Sequence, residues 1–404
     1  MNTYNPLNII LLYTGSTGFP LGDAYTNRVL SIAKGLVEVQ CNVKILIIYP
    51  GRKSGVHGKK GTYNRIPYEY LTPQQTSKIY IIKKLIGLWG IFATIYYILF
   101  KIRKADAIIS FTESKIYNLL IGITAGFKNV LFYREINEFP RNLIKKDTKE
   151  LTSYQKFLLK KVLSRIDGLI CISDGLREFF INTLSYKKPI LVVPITVDIE
   201  RFNPVNVPAT QVCKCITFCG NLFGEKDGVE ILIRAFAKIA SRHTEYIIRL
   251  IGDKSNTGEL KKLNELIHKE GLSDKVSFTG YIGRDEIPYF LSESAVLVLA
   301  RPNNIQAQGG FPTKLGEYLA TGKPVLVTSV GDIPKYLTDG LNSFIAKPGN
   351  IDNFSEKLDY VLSNYELAIE VGKKGRLLAE EQFEGRKQAI RITDFILKLR
   401  QNKL

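Results

Sequence analysis

The sequence predicts an α/β protein made of two Rossmann-like domains, and three observations carry the prediction. Short apolar runs without polar alternation recur along the 404 residues, each followed by an amphipathic stretch of helical period. Runs of that kind are strands of parallel sheets covered by helices on both faces. The rhythm occurs twice, on either side of a proline-bearing segment, and a chain of this length suits two domains of roughly 150–200 residues each.

In chain order, residues 8–13 and 43–49 read as buried strands, and Val29, Ile32, Ala33, Leu36 and Val37 between them recur at helical spacing. Further strands are expected at 107–111, 130–133, 168–172 and 190–193, completing a first domain of residues 1–193. Residues 194–211 carry Pro194, Pro204 and Pro208 with little periodicity, as a linker does. The second domain, 212–384, has strands expected at 214–219, 247–252, 276–279, 295–299, 324–328 and 343–345. Val229, Leu232, Ile233, Phe236 and Ile239 mark one of its helices. A final helix within 385–404 has the option of packing back on the first domain.

Residues 78–104 break the rhythm. They hold six basic residues and no acidic one, around a 16-residue uncharged run at 85–100. That run is shorter than the roughly 20 residues that span a bilayer. Trp89, Tyr96 and Tyr97 are interfacial residue types flanked by lysines, so a helix lying in a membrane interface is preferred to a buried core helix. The basic loop 52–65 is expected to add to the same face.

Charge and composition bound the function. There are 56 basic and 38 acidic residues, a net charge of +18, which favours polyanions such as phosphorylated substrates or anionic lipid. Zinc-finger spacing and aromatic RNA-binding motifs are both missing, which argues against nucleic acid. No G-x-G-x-x-G follows the first strand, which argues against a nicotinamide-dependent dehydrogenase. The five cysteines, Cys41, Cys171, Cys213, Cys215 and Cys219, are expected to be reduced, the last three as small core residues. His57, His243 and His268 are too scattered for a metal site. With no signal peptide recognised, the expected location is cytoplasmic, on the inner face of the cell membrane.

The most informative segment is QGGFPTKLGEYLATGKPV, residues 308–325. Gly309 and Gly310 leave the backbone free to approach a ligand, and Pro312 suits the first position of a helix. The amides of Thr313 and Lys314 would then face an anion at a helix N-terminus. Glu317, one turn on, can present a carboxylate to vicinal hydroxyls. Gly322-Lys323-Pro324 ends the helix.

GFPTKLGEYLATGKPV resembles the donor-binding signature of family 4 of the retaining glycosyltransferases. TGSTGFPLGDAYTNRVLSIAKGL, CISDGLREFF, PITVDIERF, CGNLFGEKDGVEILIRAF and GYIGRDEIPYFL resemble other segments of that family, so the likeness covers nearly the whole chain. It implies the GT-B fold, two Rossmann-like domains whose sheets face each other across a cleft. It also implies a nucleotide-diphosphate sugar as donor and a glycan or lipid-linked acceptor, with no other cofactor. By the same resemblance Glu317 holds the donor ribose, Lys226 contacts the diphosphate, and Gly22 faces it from the first domain. Tyr281 and Ile282 read the base. Gly220, Asn221, Gly309, Gly310, Phe311, Thr313 and Lys314 complete the donor set. The family's usual Arg is Asn221 here, and the first Glu of its paired-glutamate motif is Gly309.

No Asp-x-Asp pair occurs, so no metal is expected at the diphosphate. Glu135 and Glu138, in YREINEFP, are candidates to orient the acceptor or the donor sugar. Two readings compete with a transferase: a non-catalytic nucleotide-sugar-binding partner subunit, and a sugar-nucleotide epimerase on the same fold.

Overall fold

The computed structural model describes residues 6–14, 18–20, 24–51, 55, 58–203, 213–224 and 226–401. Its contacts divide the chain into two compact units, one running to Thr196 and resuming at Gly385, the other being Val197–Glu384. The break at 196/197 falls inside the segment 194–211.

The first unit holds β1 (Asn8–Thr14), α1 (Ala24–Glu38), β2 (Asn42–Tyr49), β3 (Lys60–Tyr63), β4 (Ile66–Tyr70), α2 (Tyr80–Tyr96) and β5 (Ala107–Ser110). It continues with α3 (Lys115–Phe127), β6 (Leu131–Ile136), α4 (Arg141–Lys146), α5 (Ser153–Leu163), β7 (Gly168–Cys171), α6 (Asp174–Glu178) and β8 (Ile190–Val192). The sheet order is β3-β4-β2-β1-β5-β6-β7-β8, parallel throughout except for the β3–β4 pair. Leu11, Leu12 and Tyr13 on β1 and Ile45, Leu46 and Ile47 on β2 are fully buried, so both faces of these strands are covered. That is why their sequence shows unbroken apolar runs.

The second unit holds β9 (Cys213–Cys219), α7 (Val229–Ala237), β10 (Ile247–Ile251), α8 (Thr257–Lys269), β11 (Val276–Gly280), α9 (Ile287–Ser292), β12 (Ser294–Leu299) and α10 (Ile305–Gly309). Next come α11 (Thr313–Ala320), β13 (Val325–Thr328), α12 (Ile333–Tyr336), β14 (Phe344–Ala346), α13 (Ile351–Ser363) and α14 (Tyr365–Gln382). Its sheet order is β11-β10-β9-β12-β13-β14, all parallel.

α15 (Gly385–Gln401) belongs to the first unit and packs on α1. The approach is close: a Cβ on Gly35 would fall 2.4 Å from the Gly385 carbonyl oxygen. Arg391 donates to the Val192 carbonyl at 2.8 Å, and Arg400 pairs with Asp106 at 2.7 Å.

Three local expectations are corrected. Residues 60–63 are not loop but the edge strand β3, because Asn64 and Arg65 adopt φ of 48° and 65° and close a two-residue hairpin onto β4. Cys213 and Cys215 are joined as a disulfide, since residues two apart on a strand share a face; Cys41, Cys171 and Cys219 are free thiols. Pro312 is the N-cap of α11, with ψ of 114°, and not its first helical residue.

α2 runs on through a π-helical turn, Tyr97–Lys101. One narrow side is docked on the sheet. A Cβ on Gly90 would fall 2.4 Å from the Ile48 carbonyl oxygen, and Thr94 meets the buried Tyr117 hydroxyl. Lys44 donates to the Tyr97 hydroxyl and to Glu69, each at 2.6 Å. The opposite side faces solvent.

Candidate functional site

In the six-stranded sheet the chain moves outward from β9 through β10 to β11, and in the opposite sense from β12 through β13 to β14. β9 and β12 are therefore neighbours whose following connections diverge. Such a point leaves a crevice at the carboxyl ends of the strands, where doubly wound folds bind ligands.

The loop from β9 to α7 lines that end. Gly220 (φ 154°), Gly224 (φ 76°) and Gly228 (φ 72°) give it a path that L residues rarely follow. A Cβ on Gly228 would lie 1.9 Å from the Ala300 carbonyl oxygen, and one on Gly220 would lie 2.1 Å from Lys314 Nζ. Glycine at these two positions thus lets the loop close on the chain after β12 and on α11.

Beside these glycines is a buried charge cluster. Asp227 accepts from Lys314 Nζ at 2.6 Å, and Arg301 Nε stands 3.8 Å from its other oxygen. Arg301 also donates to the Lys226 carbonyl at 3.3 Å. Burial alone would raise the Asp227 carboxyl; the charges of Lys314, Arg301 and Lys226, with the Lys314 hydrogen bond, outweigh it and hold the group below its ordinary value. Asn221, where the family places Arg, folds onto its own loop and donates to the Phe223 carbonyl at 2.8 Å.

α11 brings Lys314 and Glu317 to one face, three residues apart. Both act on Cys219 at the end of β9: burial first, then Glu317, push its thiol up to about 12, with Lys314 opposing. Tyr318, fully buried, accepts from the Cys219 amide at 2.7 Å and anchors the helix to the strand. Glu317 is mostly buried, and its Oε1 accepts from Arg201 Nη1 at 2.7 Å. Arg201 donates through Nη2 to the Arg284 carbonyl at 2.6 Å. One guanidinium therefore ties Glu317 to the segment that carries Tyr281 and Ile282. Tyr281 is exposed and Ile282 half-buried, just beyond Gly280.

Other expected site residues are placed differently. Gly309 is the buried last residue of α10, and Gly310 has φ of −94°, a conformation open to any residue, so neither dihedral demands glycine. Phe311 is buried in an aromatic cluster, its ring 5.4 Å from Tyr336 and 5.6 Å from Phe383, so its side chain packs the core. Thr313 opens α11 with Lys314, as expected of a helix N-terminus. Gly22 lies outside the described residues.

In the first unit, Glu135 is buried, and both its oxygens are engaged, by Arg28 Nε at 2.6 Å and Asn137 Nδ2 at 2.7 Å. Arg28 also donates to the Pro194 and Val193 carbonyls, at 2.6 and 2.9 Å. Burial lifts the Glu135 carboxyl even so, against the pull of Arg28. The arrangement orders the end of β6 and leaves Glu135 no free oxygen. Glu138 is half-buried nearby in sequence.

Four residues escaped the sequence reading. Asp227 stands next to Lys226 inside the quoted GEKDG segment, and Tyr318 next to Glu317. Arg201 lies within PITVDIERF. Arg301 carried no motif at all, and only the position of β12 beside β9 brings it in.

Each unit is a parallel-sheet α/β domain, and the chain matches solved structures of the GT-B fold. HepE of Anabaena, solved in complex with UDP, superimposes with a TM-score of 0.69 at 15% identity, over 97% of this chain and 100% of that one. Residues 209–378, the body of the second unit, match the family model described as glycosyl transferases group 1. An uncharacterized glycosyltransferase of Methanocaldococcus jannaschii is 31% identical over 155 residues, 38% of this chain and 40% of that protein. A GDP-mannose-dependent α-(1-6)-phosphatidylinositol monomannoside mannosyltransferase of Mycobacterium tuberculosis is 22% identical over 250 residues, 59% of this chain and 64% of that protein. The chain thus spans less than two thirds of either relative's length.

Proposed function

We propose that the protein is a glycosyltransferase that moves a hexose, with retention of configuration, from a nucleotide-diphosphate sugar to a glycan or lipid-linked acceptor. The expected setting is surface polysaccharide synthesis on the inner face of a bacterial cell membrane. One observation carries the reading. At the switch point of the second unit, Lys226, Lys314 and Arg301 surround a single carboxylate, Asp227, beside the N-terminus of α11. That surplus of positive charge suits a diphosphate. One relative is named as GDP-mannose-dependent and one structural neighbour was solved with UDP, so the base is left open.

In the proposed reaction the bond from the sugar C1 to the diphosphate oxygen breaks, and the acceptor oxygen bonds C1 on the same face. The acceptor proton passes to the departing diphosphate. Lys226 and the α11 amides stabilise the charge that grows on that leaving group. Glu317 holds the ribose through the oxygen that Arg201 does not use. A panel of nucleotide sugars tests this by thermal shift, because a ligand at a hundred times its Kd stabilises the fold by about 2.7 kcal/mol. No shift with any nucleotide sugar overturns the reading.

A second reading has its own support. Asn221 is folded onto its own loop, and Gly309 is a buried helix residue without a side chain, so neither supplies the groups the family usually has there. A partner subunit that binds nucleotide sugar without turning it over would look like this. Slow donor hydrolysis or transfer by the purified protein excludes it.

A further inference from the structure

The segment 80–101 is long and apolar enough to cross a membrane by length and composition, yet only 17% of its most apolar stretch is buried inside the protein. Its outward side is a stripe of Leu85, Trp89, Phe92, Tyr96 and Phe100, each more than half exposed. The inward side is tied down: Gly90 presses on the β2 backbone, Thr94 meets Tyr117, and Lys44 holds the Tyr97 hydroxyl. Crossing a bilayer would strip those contacts away.

The stripe is not alone. α3 packs beside α2, and α5 beside α3. Ile116 and Phe127, at the two ends of α3, are exposed, and Leu120 and Ile123 continue the line between them half-buried. On α5, Tyr154 and Phe157 are exposed. Neither α2, α3 nor α5 contains an acidic residue. Most of the cations sit toward the ends of the apolar lines: Lys83 and Lys84 before the α2 stripe, Lys101 after it, Lys115 and Lys128 at the two ends of α3, and Lys160 and Lys161 late in α5; Lys156, half-buried, is the exception, between Tyr154 and Phe157.

We infer that the outer faces of α2, α3 and α5 form one docking surface for an anionic bilayer, on which the protein rests without spanning it. The charge pattern selects the occupant. A bilayer offers apolar depth to the middle of each line and anionic headgroups to the lysines at its margin. A second copy of this face would set lysine against lysine. The inference widens the membrane part of the proposed function from one helix to three, and it does not depend on the transfer chemistry.

Trp89 is the single tryptophan of the chain and lies within the α2 stripe, so its fluorescence reports the surface directly. The full chain is titrated with vesicles of phosphatidylcholine alone and with added phosphatidylglycerol. Anionic vesicles should shift the emission to the blue, and lipids brominated in mid-chain should quench it. Raised salt should weaken the binding without abolishing it, because apolar insertion is not screened. Phe127→Ser on α3 and Phe157→Ser on α5 should each lower partitioning by about tenfold, the scale of one buried aromatic side chain. Their emission in buffer and their nucleotide-sugar thermal shift should match wild type, which separates lost docking from lost folding or a failed donor reading. A wild type with no blue shift on anionic vesicles overturns the inference. So does a blue shift that rises with protein concentration without lipid, or unchanged partitioning in both variants.

Discussion

Arg201 joins two parts of the candidate donor site, holding Glu317 Oε1 at 2.7 Å and the Arg284 carbonyl at 2.6 Å. Removing it frees the Glu317 rotamer and unties the segment after β11, while leaving the charge cluster at Asp227 in place. Arg201→Ala should therefore raise the donor KM at least tenfold, the effect of losing a charged hydrogen bond of about 1.5–3 kcal/mol, with kcat little changed. Equal loss in kcat and kcat/KM, with KM unchanged, would assign Arg201 to the transition state instead. Lys226→Ala should do the reverse and lower kcat more than donor binding, because charge on the leaving group grows as the bond breaks. Steady-state kinetics on the two variants side by side distinguish these roles. Asp227 makes a prediction about pH. Its carboxyl lies below the ordinary value of 3.8, so the stability it adds is complete at neutral pH and fades as the pH falls through 3.8 and lower. Asp227→Asn leaves Lys314 and Arg301 without their counter-charge and should be clearly less stable at pH 7. The Tm difference between it and wild type should narrow as acid is added; a difference independent of pH would show that the carboxylate charge is not what holds the cluster.

At the scale of elements, the β9–α7 loop is shaped by close approaches that only glycine permits. Gly228 combines φ of 72° with a neighbouring carbonyl that a Cβ would meet at 1.9 Å. The added methyl has no flexible side chain to displace, only the backbone after β12. Gly228→Ala should cost about 2 kcal/mol or more and lower Tm together with donor binding, because the loop cannot close on β12. Gly220→Ala differs in kind, since its Cβ would strike the end of the Lys314 side chain, which Asp227 holds, and not backbone. The strands and helices around this loop were legible in the sequence, because strands buried on both faces must read as apolar runs. The β3–β4 hairpin was not: β3 is the exposed edge strand, and Asn64-Arg65 lacks the Asn-Gly signature of a tight turn. Pro312 was read as the first helical residue when it caps the helix, a one-residue matter that backbone ψ decides.

For the whole molecule, the chain leaves the first unit at Thr196 and returns to it at Gly385, so α15 closes a unit whose other residues precede it by nearly two hundred positions. Gly35→Ala, which drives a Cβ into the Gly385 carbonyl, should destabilise by about 1–3 kcal/mol, and denaturation should show the loss in the first unit. A variant as stable as wild type would mean that α15 docks loosely. The sequence by itself determined that there are two parallel α/β sheets, where most of their strands fall, and that the segment around Lys314 and Glu317 opens a helix. These follow from local physics, namely hydrophobic period, turn chemistry and the exposed amides of a helix start. It also marked 78–104 as apolar and basic without saying which side of that helix is covered. Only the tertiary structure decided that Glu135 is consumed by Arg28, that Phe311 is core, that Asp227 and Arg301 meet Lys314 at the switch point, and that α3 and α5 extend the exposed face of α2. Each of those facts is a contact between residues far apart in the chain, and no local pattern encodes which strand will lie beside which.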